Sequence, residues 1–285
     1  MEARTTHSRV DLPVGRIDYR QSGPDDGQPI VFVHGFLVDD TVWADVPERL
    51  GNQGFRTFAP TWPLGAHREA VHPDADLSPK GLAQVVLSFL EELDLRDVVL
   101  VGNDTGGAVC QFLLDTDASR VGAVVLSNCD AFTTFPPAQF KAVFSAGQHP
   151  GLAGVILKAM RWRALRHSPL GIGPLANNLD ADQTARWFAP SIDDPAIRQD
   201  IARFLRHVRP DELNDVSTRL NRFEGPVSIV WGANDRAFTP KLGERLAAAF
   251  RDARFVPVPD ARTLVSLDAP DRFATEIAKV TARST

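Results

Sequence analysis

An α/β fold with a mostly parallel sheet is predicted for this 285-residue sequence by three features. Short β-rich runs alternate with amphipathic helical stretches. The strand candidates are apolar runs of buried type. The one break in the rhythm is a single long helical block. Taken in chain order, Ile30–Val33 is an apolar run closed by His34-Gly35, and Arg56–Ala59 is another closed by Pro60. Ser78 offers an N-cap hydroxyl and Pro79 suits a first helical turn, so a helix is expected from there to about Asp94. Asp97–Val101 and Val121–Leu126 are the next strands, with a helix over Gly106–Leu114 between them. Val227–Trp231 and Arg254–Val258 complete the set, with helices at Pro240–Phe250 and Pro270–Val280.

Residues 132–222 contain helical periodicity and no convincing β run, so they are read as a helical insertion into a core of residues 1–131 and 223–285. That block holds twelve Lys/Arg against eight Asp/Glu, the reverse of the whole chain, whose net charge is −5. An arginine-rich solvated face accounts for the difference; a preference for anionic ligands is the other reading.

Composition excludes several classes. With 44% hydrophobic residues and a net charge of only −5, the chain is not intrinsically disordered. No apolar run approaches the roughly 18 residues of a membrane span, and the first thirty residues lack the apolar stretch of a signal peptide. A cytoplasmic protein without a membrane partner is therefore expected. Mild acidity gives no domain-wide basic surface for nucleic acid. Cys110 and Cys129 do not make a disulfide framework and are expected as free thiols. No metal or other cofactor is expected, a small-molecule substrate is the expected partner, and the sequence is silent on oligomeric state.

The most informative segment is DVVLVGNDTGGAVCQFLL. A buried strand ends at Val101, and Gly102-Asn103-Asp104-Thr105-Gly106-Gly107 turns straight into a helix. Glycines on both sides of one polar residue suit a sharp, strained turn that lifts that residue above the sheet edge. This is the G-x-nucleophile-x-G elbow with aspartate at its centre. The Thr105 N–H, at the helix N-terminus, would face an oxyanion or leaving group. Asn103 reads as a surface turn residue. The bland reading of Asp104 is a helix N-cap, and that of Asp235 a cap for the helix near Pro240.

From these residues the chain resembles the α/β-hydrolase superfamily, specifically its Asp-nucleophile branch of haloalkane dehalogenases and epoxide hydrolases, over nearly its whole length. His34-Gly35-Phe36 is similar to the oxyanion motif, with the Phe36 N–H as second donor. Trp231-Gly232-Ala233-Asn234-Asp235 is similar to the strand-then-acid motif, with Asp235 as triad acid. The resemblance implies a mostly parallel sheet of about eight strands with helices on both faces and residues 132–222 as a helical cap. It also implies that Asp104 attacks an sp³ carbon, forms an ester with the substrate, and needs a histidine to activate the water that cleaves it.

At the family's histidine position, seven residues before Pro270, this chain has Thr263, and no histidine follows His207. Threonine is no general base near neutral pH. Three readings remain: a histidine from elsewhere (His67, His72 or His149), a pocket repurposed for ligand binding or for lyase, isomerase or cyclase chemistry, or a replacement that traps the ester. Tyr19 is the only tyrosine, so the tyrosine pair that protonates epoxides in the family is missing in its usual form. Thr105 stands where haloalkane dehalogenases carry a halide-binding tryptophan and fluoroacetate dehalogenases an arginine; Phe36 replaces a frequent asparagine. Trp43, Trp62, Trp162 or Trp187 could supply a donor instead, although core packing is the default for an indole. His34, Trp62, His67 and Asp130 are the remaining candidates to touch substrate, Asp130 because it closes the strand before the cap.

Overall fold

The apolar runs become the middle of an eight-stranded sheet. The computed structural model describes residues 5–281. The chain runs through β1 (Thr6–Leu12), β2 (Gly15–Ser22), β3 (Pro29–Val33), α1 (Val46–Gly51), β4 (Arg56–Pro60), α2 (Pro79–Glu92), β5 (Val98–Asp104), α3 (Thr105–Thr116) and β6 (Val121–Cys129). Six helices follow without a sheet strand: α4 (Lys141–Gly147), α5 (Pro150–Ala159), α6 (Arg163–Arg166), α7 (Ala181–Asp193), α8 (Pro195–Arg206) and α9 (Pro210–Ser217). The chain then completes the sheet with β7 (Val227–Gly232), α10 (Pro240–Ala249), β8 (Ala253–Val258), α11 (Val265–Asp268) and α12 (Pro270–Thr281).

The strand order is β1-β2-β4-β3-β5-β6-β7-β8. β1 and β2 form an antiparallel hairpin, β2 joins β4 antiparallel, and every other pairing is parallel. Central strands β3, β5 and β6 are buried almost throughout, as parallel strands covered on both faces must be. α2 packs against α3, and α1 against α12. The N-terminal hairpin was not foreseen among the strand runs. Its outer strand is half exposed, with Arg9 and Asp11 alternating with the buried Val10 and Leu12, so it lacks the continuous apolar signature of the core.

β4 and β5 leave β3 on opposite sides, and such a topological switch opens a crevice at the carboxyl ends of the strands. The ends of β3 and β5 feed that crevice: β3 delivers His34-Gly35-Phe36, and β5 delivers Asp104 directly into α3. Cys110 on α3 and Cys129 on β6 are buried free thiols, and burial pushes both thiols up, away from reactive thiolate. No described helix is long and apolar enough to cross a membrane, and no group of His, Cys, Asp and Glu among the described residues is arranged to hold a metal ion.

The tight seating of α3 on β3 yields a stability prediction. A Cβ on Gly106 would lie 2.0 Å from the carbonyl oxygen of Val33, a backbone atom that cannot swing aside. Gly106→Ala should therefore cost about 1–3 kcal/mol by overpacking. Thermal unfolding followed by circular dichroism should show a Tm several degrees lower than the parent; an unchanged Tm would contradict this seating.

Candidate active site

Asp104 is the last residue of β5 and the N-cap of α3, with φ 54° and ψ −130°. A non-glycine residue in this left-handed region carries strain of about 1–3 kcal/mol. The strain buys a geometry in which Asp104 Oδ1 accepts the Thr105 N–H at 2.7 Å, at the positive end of α3. Oδ2 is turned toward Gly35: a Cβ there would stand 2.6 Å from it, so only glycine lets the β3 turn pass this close. Burial pushes the Asp104 carboxyl up to about 7. The Thr105 N–H opposes this and the nearby charge of Asp235 adds to it.

Asp130 follows β6, the strand paired with β5, and its N–H donates to the Asp104 carbonyl at 3.4 Å. The Thr105 hydroxyl lies 3.3 Å from Asp130 Oδ2 and 3.4 Å from Asp104 Oδ1. One hydroxyl therefore stands between two carboxyl groups, and with a single hydrogen it can donate to only one at a time. Asp130 Oδ1 is buried with no hydrogen-bond partner. Burial, reinforced by the charge on Asp104, holds the Asp130 carboxyl well above the ordinary range.

Asp104 and Asp130 both belong to the lining of a cavity of about 120 Å³, large enough for a molecule of several heavy atoms. Its walls come from the β3 turn (Phe36, Leu37), from helices α4, α5, α7 and α8, and from Phe238. Among the described residues lining it, only the side chains of Asp104 and Asp130 carry nitrogen or oxygen.

A second polar group lies behind this pair. Asp235, after β7, accepts from Ala237 N–H (2.7 Å) and Phe238 N–H (3.1 Å) through Oδ1. Its Oδ2 accepts from the Asn128 amide (2.8 Å) and the Thr263 hydroxyl (2.7 Å). Burial raises its carboxyl from the ordinary value, and these four donors pull the other way. The Asn103 amide donates to the carbonyls of Ser127 (3.0 Å), Asn128 (3.3 Å) and Thr263 (2.8 Å), tying β5 to β6 and to the Thr263 loop. Asn103 is thus a buried strut rather than a surface turn residue. Asn128, which sequence reasoning passed over, belongs to the same group; its place two residues before Asp130, at the end of a buried strand, was the available signal.

Several expected contacts require correction. His34 is buried with both ring nitrogens spent on backbone: Nε2 accepts the Trp62 N–H at 2.8 Å, and Nδ1 lies 2.9 Å from the Gly35 carbonyl. Burial lowers its pKa to about 4, so it is a neutral brace between the β3 and β4 turns. The Trp62 indole donates to the Phe32 carbonyl at 2.9 Å. His67 accepts the Gly65 N–H at Nδ1 and meets Asp200 Oδ2 at 3.2 Å through Nε2, latching the loop after β4 to α8. His34, Trp62 and His67 all lie outside the cavity lining, as do the exposed His72 and His149. No histidine reaches the cavity wall or hydrogen-bonds Asp235. The Trp43 and Trp187 rings are buried in the core and Trp162 is exposed; none lines the cavity.

The sheet order, the elbow after β5 and the acid after β7 define an enzyme of hydrolase type. The alpha/beta hydrolase family model matches residues 30–276, and the chain belongs to that family. Haloalkane dehalogenase 2 of Mycobacterium tuberculosis is 28% identical over 276 residues, covering 94% of this chain and 92% of that protein. Among solved structures, haloalkane dehalogenase DbeA from Bradyrhizobium elkani is similar in fold with a TM-score of 0.78 at 16% identity, covering 98% of this chain and 99% of that one. The epoxide hydrolase CorEH aligns with a TM-score of 0.78 at 18% identity, covering the same shares.

The raised Asp104 pKa couples to stability. An unfolded aspartate releases its proton near pH 4, whereas folded Asp104 keeps it to about 7. The stabilisation is complete below the unfolded pKa and is lost as pH rises through the folded one. Asp104→Asn removes this dependence. Its urea midpoint should therefore gain on the parent's as pH is raised from about 4 to about 8. Parallel midpoints across that range would contradict a buried, protonatable Asp104.

Proposed function

We propose that the chain is an enzyme that takes a small, largely apolar molecule into the cavity beneath the helical block of residues 132–222, which serves as its cap, and that Asp104 attacks it at an sp³ carbon. The observation that carries this reading is the Asp104 carboxylate on its strained turn, with one oxygen held by the Thr105 N–H and the group opening on a wall otherwise without side-chain nitrogen or oxygen. In the reaction, Oδ2 forms the new C–O bond and the leaving group departs with its electron pair. Oδ1 becomes the ester carbonyl and stays on the Thr105 N–H. The Phe36 N–H serves as second donor when water later turns that carbonyl into an oxyanion. The dehalogenase and epoxide hydrolase relatives support the class of chemistry.

Cleavage of the ester is the weak half. Asp235 takes the role of acid, but the group it orients is the Thr263 hydroxyl, which stands in the place of the family's histidine and has no useful basicity near neutral pH. The ester from an alkyl halide therefore persists. Because only ionised Asp104 attacks, ester formation speeds up as pH rises through about 7.

Intact-mass spectrometry after incubation with hexyl bromide should show the mass of one added hexyl group, mapped to Asp104 and absent from Asp104→Asn. Thr263→His places an imidazole beside Asp235 and should convert the trapped ester into turnover. Fast release of bromide without any adduct would overturn the weak-hydrolysis reading. A folded Thr263→His variant that gains nothing would favour a pocket given over to non-hydrolytic chemistry.

A further inference from the structure

Asp130 is unused in that scheme, yet its position is chemically specific. It lies at the cavity wall, 1% exposed, with Oδ1 free of any hydrogen-bond partner and Oδ2 on the Thr105 hydroxyl that also approaches Asp104. Its backbone carbonyl is fixed by the Gln111 amide at 2.7 Å, which holds the residue in place. No other cavity side chain can donate a hydrogen to a substrate: the lining is hydrocarbon apart from a thioether and these two carboxyls. A leaving group that needs a proton has one side-chain source in this cavity, a carboxylic acid at Asp130.

We propose that Asp130 is the enzyme's proton shuttle, acid in the first step and base in the second, and that the substrates matched to it are epoxides rather than alkyl halides. The inference rests on Asp104 as nucleophile. In the first step Asp104 Oδ2 forms a bond to a ring carbon, the C–O bond of the strained ring breaks, and the electron pair on the departing oxygen takes the proton of Asp130. The products are a hydroxyalkyl ester on Asp104 and a carboxylate at Asp130. In the second step that carboxylate draws a proton from water as the water oxygen attacks the Asp104 carboxyl carbon. The ester C–O bond breaks, the diol oxygen takes water's other proton, and Asp104 leaves as carboxylate with Asp130 again protonated. Epoxide and water go in, a diol comes out, and both side chains are restored. The same carboxyl serves as acid and then base in retaining glycosidases, where a first-step donor becomes the second-step acceptor.

The elevated proton affinity of Asp130, caused by burial and by the charge on Asp104, agrees with this role, because a donor must hold its proton more tightly than an ordinary carboxyl does. An alkyl halide leaves without taking a proton, so Asp130 keeps its own and no base is generated. This is a physical reason for an enzyme lacking the histidine to handle one leaving group and stall on another.

Matched incubations of the unmodified protein with hexyl bromide and hexene oxide test this directly. The bromide should leave a hexyl ester on Asp104, while the epoxide should be turned over many times to hexanediol without ester accumulating. Asp130→Asn should lower the rate of epoxide opening relative to that of bromide displacement by at least ~100-fold, the size of a lost general acid. Bromide labelling of the variant reports that its elbow is intact. If epoxide and bromide both leave long-lived esters on Asp104, or Asp130→Asn slows the two equally, the shuttle is wrong and the nucleophile reading stands. If neither compound labels Asp104 nor is turned over, the nucleophile reading itself fails. The comparison on the unmodified protein decides the matter even if the variant does not fold.

Discussion

A half-buried carboxylate at the tip of a parallel strand is an expensive group to hold out of water, and the local architecture is shaped by that expense. Moving an ionised carboxyl out of water carries a penalty of several kcal/mol unless hydrogen bonds or neutralisation offset it. At Asp104 the offset comes from one N–H at the positive end of α3, and the remainder emerges as a proton affinity raised to about 7. For the N–H to point correctly, the chain must pass from strand to helix within a single residue at positive φ. That turn forces β3 and α3 into near contact, which only glycine at positions 35 and 106 permits. Strain, steric restriction and protonation thus have one origin.

The polar groups divide into two sets, in which the two carboxyls Asp235 and Asp130 are served very differently. Behind the cavity, Asp235 receives four donors, and Asn103 and Asn128 link β5, β6, β7 and the Thr263 loop into one rigid network. At the cavity wall, Thr105 serves two carboxyls with one hydroxyl, and an oxygen of Asp130 has nothing. An unsatisfied buried acceptor costs about 1–3 kcal/mol. The Asn103 Oδ1 and Ser127 Oγ atoms behind the cavity also lack a partner, so what sets Asp130 apart is that its unpartnered oxygen belongs to a carboxyl of the cavity lining.

The sequence made the central part of the fold legible because parallel strands buried on both faces read as apolar runs, and β3, β5, β6 and β7 carry that mark, whereas edge strand β8 alternates exposed and buried residues. The hairpin β1–β2 escaped notice because one side of it faces solvent and its apolar residues merely alternate with charges. Asp104 was legible from its flanking glycines, and Thr263 from its spacing to Pro270. Asn103, by contrast, looks like any polar residue in a glycine-rich turn. Only the three-dimensional approach of β6 and the Thr263 loop reveals carbonyls on three sides of it. The histidines misled for a related reason: His34 and His67 sit in loops at the catalytic edge, but their ring nitrogens are consumed by the turns they brace.

Under the proposed mechanism, in which Asp104 attacks ionised and Asp130 donates, charge accounting within the cavity gives the leaving group its weight. With Asp104 ionised and Asp130 protonated, the wall carries one negative charge shared across a hydroxyl, and every other lining side chain is nonpolar. Opening a strained ether transfers that single charge from Asp104 to Asp130, a neighbouring oxygen acid of similar solvation, so the total at the wall is unchanged throughout. Expelling a halide instead moves the charge onto an ion that must sit against hydrocarbon with no side-chain N–H to receive it. In a low-dielectric enclosure that difference is felt in the transition state, where charge is already displaced toward the leaving atom. On that mechanism, a cavity whose one side-chain proton donor is a carboxyl favours reactions that hand the charge back to the protein.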